Sequence, residues 1–134
     1  MPPRVLVVED DSATREALSK VLIGEGCEID IAVDGERAIG CLANRSYDAI
    51  ILDIVLPKMS GTDVMEYIAS TRPETLASII VVTGLEVAEI RKLFPTVCET
   101  LSKPVIPSRL LGSVRRCLHT SSTNNGNRSG ASVA

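Results

Sequence analysis

A single α/β domain built on a parallel sheet with helices on both faces is the fold class this sequence predicts. Two observations carry the prediction. Short β-branched segments alternate five times with stretches of helical apolar spacing. Such alternation closes into a parallel sheet with right-handed crossovers. In addition, four segments stop at a charged or hydroxylic side chain. Val5-Leu6-Val7-Val8 ends in Glu9-Asp10-Asp11, and the run from Tyr47 to Leu52 ends in Asp53. Ile79-Ile80-Val81-Val82 ends in Thr83-Gly84, and Thr100-Leu101-Ser102 ends in Lys103-Pro104. In parallel strands all four groups emerge at one carboxyl edge, where open α/β sheets bind ligands.

Each element has its own signal. Residues 4–9 form a compact apolar strand. Ser12 can cap a first helix whose Ala17, Leu18, Val21 and Leu22 share one face, with Gly24 and Gly26 ending it. Residues 28–32 alternate apolar and polar, as an edge strand does. Asp34-Gly35 turns into a second helix with Ala38, Ile39 and Leu42 inward. Residues 48–52 are almost wholly apolar, as a strand covered on both faces requires. Pro57 and Gly61 punctuate the loop after Asp53, and a third helix over 62–70 packs through Val64, Met65 and Ile68. A fourth strand spans 78–82. A short amphipathic helix over 86–93 is stopped by Pro95, and 97–101 is a weak strand suited to the other edge. The last helix runs from Pro107 to Leu118, with Leu110, Leu111, Val114, Cys117 and Leu118 inward.

With 134 residues, the chain fits one domain with a real core. One Phe, two Tyr and no Trp mean that Val, Ile, Leu and Ala must build it. The formal charge of -3 and the scattered Lys and Arg argue against a nucleic-acid-binding stripe. No apolar stretch reaches membrane-spanning length, and strand-like residues begin at Arg4 rather than a signal peptide, so a cytoplasmic location without membrane contact is expected. Cys27, Cys41, Cys98 and Cys117 form no CxxC pair, and disulfides are disfavoured in reducing cytosol. The expectation is four small buried hydrophobes. His119, the single histidine, reads as a surface residue. The domain is expected to occupy 1–119, with 120–134 a disordered polar tail or the start of a linker.

Three acids, a hydroxyl and an amine at one edge suit a divalent cation and a phosphoryl group. Crowded carboxylates repel unless a cation relieves them, and Mg²⁺ takes hard oxygen ligands and bridges to phosphate. A carboxylate can itself attack phosphorus to form an acyl phosphate. Taken singly, Asp10 or Asp11 could cap the first helix, Thr83 the fourth, and Lys103 could be a solvated turn residue. Their coincidence at four strand ends favours one shared site.

Glu9-Asp10, Asp53 with Pro57, Thr83-Gly84 and Lys103-Pro104, in this order over residues 4–118, resemble the receiver domain of bacterial two-component response regulators. The resemblance implies a five-stranded flavodoxin-like sheet of order 2-1-3-4-5. It implies Asp53 as phosphoacceptor, with Mg²⁺ held by Asp10, Glu9, Asp53 and the backbone carbonyl of Val55. Thr83 and Lys103 are then the groups that hold the phosphoryl oxygens. The implied protein is a phosphorylation-controlled signalling domain rather than an enzyme, with slow self-dephosphorylation. Its implied partners are a sensor histidine kinase and a downstream effector or second copy. The latter would meet the face made by the fourth helix, fifth strand and fifth helix, which includes Glu86, Glu89, Arg91, Lys92 and Arg115.

The chain departs from the family pattern in three places. Thr100 stands where many receivers carry Tyr or Phe, and the common Gly-Ala turn before the lysine is absent. Val55 and Leu85, two residues beyond Asp53 and Thr83, are apolar and branched, which is expected to shield an acyl phosphate from water. Thr100 and the missing turn lend support to a rival reading, a phosphorylation-independent receiver-like interaction module. A hydrolase with an aspartyl nucleophile after the first strand is a weaker rival, because Asp10 is followed by Asp11 and Ser12. The sequence fits either a stand-alone receiver or the receiver portion of a larger regulator.

Overall fold

The computed structural model describes residues 1–118. His119 and the tail expected over 120–134 lie outside the described residues. Five parallel strands, β1 (Arg4–Val8), β2 (Glu28–Ala32), β3 (Ala49–Asp53), β4 (Ile79–Thr83) and β5 (Glu99–Ser102), line up in the order β2-β1-β3-β4-β5. The predicted sheet and its order are therefore present. Three of the ladders set Val8 beside Leu52, Asp53 beside Val82, and Thr83 beside Ser102.

Alternation along the strands sorts the core into two layers. Leu6, Val8, Ile50, Leu52, Ile79 and Val81 pack under α2 (Gly35–Asn44), α3 (Gly61–Thr71) and Ile90 of α4 (Val87–Leu93). Val5, Val7, Ile51, Ile80 and Val82 point the other way, toward α1 (Ser12–Gly24) and α5 (residues 107–118). The central strands are buried on both sides, which explains their unbroken apolar runs. The more polar β2 and β5 lie at the edges, as expected. Among the described residues, no helix is long and apolar enough to cross a membrane.

Several boundaries differ from expectation. Asp11, not Ser12, caps α1: its carboxylate accepts from Thr14 N at 2.8 Å and from the Thr14 hydroxyl at 2.6 Å. A carboxylate one residue earlier reaches the free amides of the first turn better than the first helical residue can. Asp53 and Thr83 end their strands from inside the ladder rather than beyond it. A 3₁₀ turn at Pro73–Ser78, absent from the sequence reading, links α3 to β4. β5 begins at Glu99 rather than Val97.

The cysteine expectation holds for two positions and fails for two. Cys27 is buried and Cys41 half-buried, both as free thiols. Cys98 and Cys117 instead form a disulfide, with Cα atoms 6.1 Å apart. The packing of α5 beside β5 brings the two ends of a 19-residue separation within bridging range, a proximity that local spacing cannot reveal.

Candidate functional site: an acid cradle at the carboxyl edge

The ends of β1, β3 and β5 deliver their side chains to one point. Lys103 Nζ lies 2.8 Å from Asp53 Oδ2 and 2.8 Å from Glu9 Oε1. Ligand oxygens of Glu9, Asp10 and Asp53 all fall within 4.8 Å of one another. Glu9 and Asp53 are buried, at 1% and 3% exposure, whereas Asp10 faces solvent. Four of the residues singled out from sequence thus converge.

Local backbone geometry fixes the phosphoacceptor candidate. Asp53 Oδ1 accepts a hydrogen bond from Val55 N at 3.0 Å, so each carboxylate oxygen has its own donor. The loop after β3 folds back tightly, with Gly61 N donating to Ile54 O at 2.8 Å. A Cβ on Gly61 would stand 2.4 Å from Asp53 O and 2.5 Å from Ile54 Cα, so only hydrogen fits there. Lys58 and Met59 take the left-handed region, with φ of 45° and 69°. Backbone bonds from Gly35 N to Pro57 O and from Glu36 N to Lys58 O hold that conformation.

Thr83 ends β4 one residue past the ladder partner of Asp53, and its carbonyl accepts from Lys103 N at 2.8 Å. Its hydroxyl accepts from Leu85 N at 2.9 Å, which leaves the hydroxyl hydrogen free to donate. No side-chain hydrogen bond joins Thr83 to Asp53. Gly84 borders open space, since a Cβ there would meet nothing within 4 Å. The Val55 and Leu85 side chains are 59% and 49% exposed and flank the two hydrogen-bonded turns.

The electrostatics follow from crowding. Burial pushes the Glu9 carboxyl up to about 7; contact with Lys103 opposes the rise, and Asp53 adds to it. Burial pulls the Lys103 ammonium down, but its contacts with Asp53 and Glu9 outweigh that and raise it. Glu9 Oε1 is buried and off the angle of an aligned hydrogen bond, although Lys103 Nζ is 2.8 Å away. A buried carboxylate oxygen with unused acceptor capacity, beside two further acids, suits a hard divalent cation. The donor set therefore fits Mg²⁺.

Sequence reasoning missed two supporting residues. Arg15 donates through Nη1 to the carbonyls of Glu9 (3.2 Å) and Asp10 (3.3 Å), steadying the acid pair from the first turn of α1. Gly61 was noted only as loop punctuation. Its signal was its place between Pro57 and a helix start, where a chain reversal needs close backbone approach.

The doubly wound sheet with this acid–lysine cradle at its carboxyl edge defines a flavodoxin-like signalling fold with a cation-ready site. The chain belongs to the response regulator receiver domain family, whose model matches residues 5–115. It is a receiver domain of two-component systems, a class that binds Mg²⁺ at an acidic pocket of this kind. It is 31% identical over 126 residues to response regulator MprA of Mycobacterium sp. strain KMS, covering 94% of this chain and 55% of that protein. It is 30% identical over 112 residues to the transcriptional regulatory protein DltR of Streptococcus agalactiae, covering 84% and 50% respectively. The chain thus spans about half the length of the curated relatives it matches. Among solved structures, a CheY-like receiver from Methanospirillum hungatei superposes with a TM-score of 0.82 at 28% identity, covering 92% of this chain and 99% of that one. The signal receiver domain of a Luxo repressor protein from Vibrio parahaemolyticus gives 0.84 at 29%, covering 93% and 96%.

Proposed function

We propose that Asp53 accepts a phosphoryl group from a phosphohistidine on a sensor kinase, and that the aspartyl phosphate changes how the domain meets its partner. The observation that carries this reading is the Lys103 ammonium bridging two buried carboxylates at 2.8 Å each. In the step, a carboxylate oxygen of Asp53 forms a bond to phosphorus as the phosphorus–nitrogen bond breaks, and the leaving imidazole keeps the electron pair and takes up a proton. Val55 N and Lys103 Nζ orient the carboxylate for in-line attack. Glu9, Asp10, Asp53 and the Val55 carbonyl are the groups that would hold Mg²⁺. The bound ion supplies neutralisation of the charge on the transferring oxygens. Lys103 and the free Thr83 hydroxyl hydrogen supply the protein's own share.

The magnitudes suit a switch. An acyl phosphate adds about −1.5 to −2 charges, if the value for other phospho-residues transfers. A unit-charge attraction near 4 Å at an effective dielectric near 20 is about 4 kcal/mol before desolvation. Converting a mostly-off population to mostly-on takes about 5.5 kcal/mol of differential stabilisation. Lys103 already pairs with Asp53 and Glu9, so it and Thr83 supply part of that range and the rest falls to the cation and the repacking of the partner surface.

The output surface belongs to the same reading: an effector protein or a second copy meets α4, β5 and α5. Arg91 and Arg116 there share the single carboxylate of Glu99. Arg115, expected on this face, is turned instead toward α1, where it pairs with Glu25. A cytoplasmic location fits the same reading. The test is incubation with acetyl phosphate and Mg²⁺ followed by tryptic mapping. Stable label on Asp53 supports the receiver reading. Absence of label supports the phosphorylation-independent module, which the buried, aromatic-free Thr100 position favours, and rapid multiple turnover supports a hydrolase.

A further inference from the structure

The Cys98–Cys117 bond lies away from the acid cradle and has no part in phosphoryl chemistry. Its two sulfurs differ in setting. Cys117 is 1% exposed beneath α5, while Cys98 is half-buried on the segment leading into β5. Cys98 also lines an open cleft of about 280 Å³ with Arg91, Phe94, Pro95 and Thr100. The cleft admits a small molecule to one sulfur and not the other. Arg91 and Glu99, which pair at 3.6 Å, stand on the wall of the same cleft.

We infer that Cys98 and Cys117 form a reversible thiol–disulfide exchange site, with low-molecular-weight thiols as the redox partner and Cys98 as the sulfur they attack. In the reductive direction a small thiolate bonds to Cys98 Sγ, the Cys98–Cys117 bond breaks, and Cys117 leaves and is protonated. A second small thiol then attacks the mixed disulfide at its own sulfur, releasing a small-molecule disulfide and the Cys98 thiolate. Two electrons pass from two small thiols to the protein bond, and each protein sulfur ends with a proton. The oxidative direction is the same sequence reversed, with the small-molecule disulfide as oxidant.

The position gives the bond a consequence. The ring it closes contains β5, Lys103 and α5. When the bond is closed, the last turn of α5 is tied to the edge of the sheet. When it is open, α5 depends on Leu110, Val114 and their apolar neighbours and on the ion pairs of Arg115 with Glu25 and Arg116 with Glu99. The redox state of small thiols therefore sets how firmly the output face is held, independently of phosphorylation. Closing a loop of this length restricts the unfolded chain, so reduction lowers the thermal midpoint by roughly 10 °C.

The experiment equilibrates the intact chain with reduced and oxidised glutathione at graded ratios, then counts alkylated thiols by mass spectrometry. Cys27 and Cys41 serve as internal reference thiols. The expected result is a reversible transition between none and two labelled thiols at positions 98 and 117. A glutathione adduct should accumulate on Cys98 in the Cys117→Ser variant, and hydrogen exchange over residues 107–117 should quicken on reduction. The inference is overturned if the two cysteines stay free at every ratio or if the bond resists glutathione until the chain unfolds. It is equally overturned if α5 exchanges at the same rate in both states. None of these readouts uses Asp53, so they stand whether or not the domain is phosphorylated.

Discussion

The acid cradle and the edge strand β5 treat their buried threonines in opposite ways. At the cradle, both Asp53 oxygens have donors, Lys103 bridges two carboxylates, and the Thr83 hydroxyl holds Leu85 N. On β5, Thr100 is 3% exposed and its hydroxyl has no hydrogen-bond partner among the described residues. The two threonines sit on adjacent strands with similar burial, yet only one is anchored. Satisfied polar networks hold one geometry, while an unsatisfied buried hydroxyl costs free energy until something occupies it. Asp53 and Thr83 are thus preorganised beside a Glu9 Oε1 that keeps unused acceptor capacity, and the β5 edge is left able to repack.

The comparison can be broken most severely at its backbone support. Gly61→Ala forces a methyl group into Asp53 O and Ile54 Cα, neither of which can yield without moving β3. Urea titration should show a loss of about 3 kcal/mol. Gly40→Ala, on an open face of α2, should instead be neutral or gain about 0.5–1 kcal/mol. If both behave alike, the loop does not set the cradle.

The two threonines allow the same isosteric change to be made in both regions. Thr83→Val removes the acceptor of Leu85 N and should cost about 1 kcal/mol. It should also reduce the yield of phosphorylated chain. Thr100→Val removes a hydroxyl that bonds to nothing and should stabilise by about 1 kcal/mol while leaving labelling of Asp53 unchanged. Equal signs in chemical denaturation would erase the distinction between the regions.

A smaller effect is expected at the mouth of the cradle. Val55 and Leu85 are exposed yet apolar, so Val55→Asn and Leu85→Glu should admit an in-line water more readily. Each should shorten the lifetime of the aspartyl phosphate several-fold, read from decay of the labelled chain. Unchanged or longer lifetimes would show that water access is governed elsewhere.

The smallest effect concerns the α1–α5 ion pair. Hydrogen bonding from Arg115 holds the Glu25 carboxyl below its ordinary value of 4.5. A carboxyl depressed by folding contributes stability above its unfolded value, and that contribution fades as pH falls through the folded one. The Arg115 side chain is well solvated and that of Glu25 partly so, and Glu25→Gln should lower the midpoint only slightly at pH 7. The difference should vanish in strongly acidic buffer, and a persistent gap there would point to packing rather than charge.

Much of this molecule was legible from residue order. The apolar runs at Val5–Val8, Ile50–Leu52 and Ile79–Val82 could only suit strands covered on both sides, and the polar content of Glu28–Ala32 and Glu99–Ser102 marked the edges. The cradle was readable for the same reason, since parallel strands must release their next residues at one rim. Glu9, Asp10, Asp53 and Lys103 follow from that rule alone. Helix caps were less legible, because Asp11 and Ser12 are both competent and only the turn geometry chooses between them.

By itself, then, the sequence determined the layering of the sheet, the identity of its edges and the meeting of acids with a lysine. Periodicity and strand ends are local properties that any parallel packing must honour. Only the tertiary structure decided that Cys98 faces Cys117, that Arg115 turns to Glu25 at the end of α1, and that Gly61 must be bare beside Asp53. These depend on how far apart packed elements come to rest. That distance is set by the summed volumes of many side chains and is written at no single position.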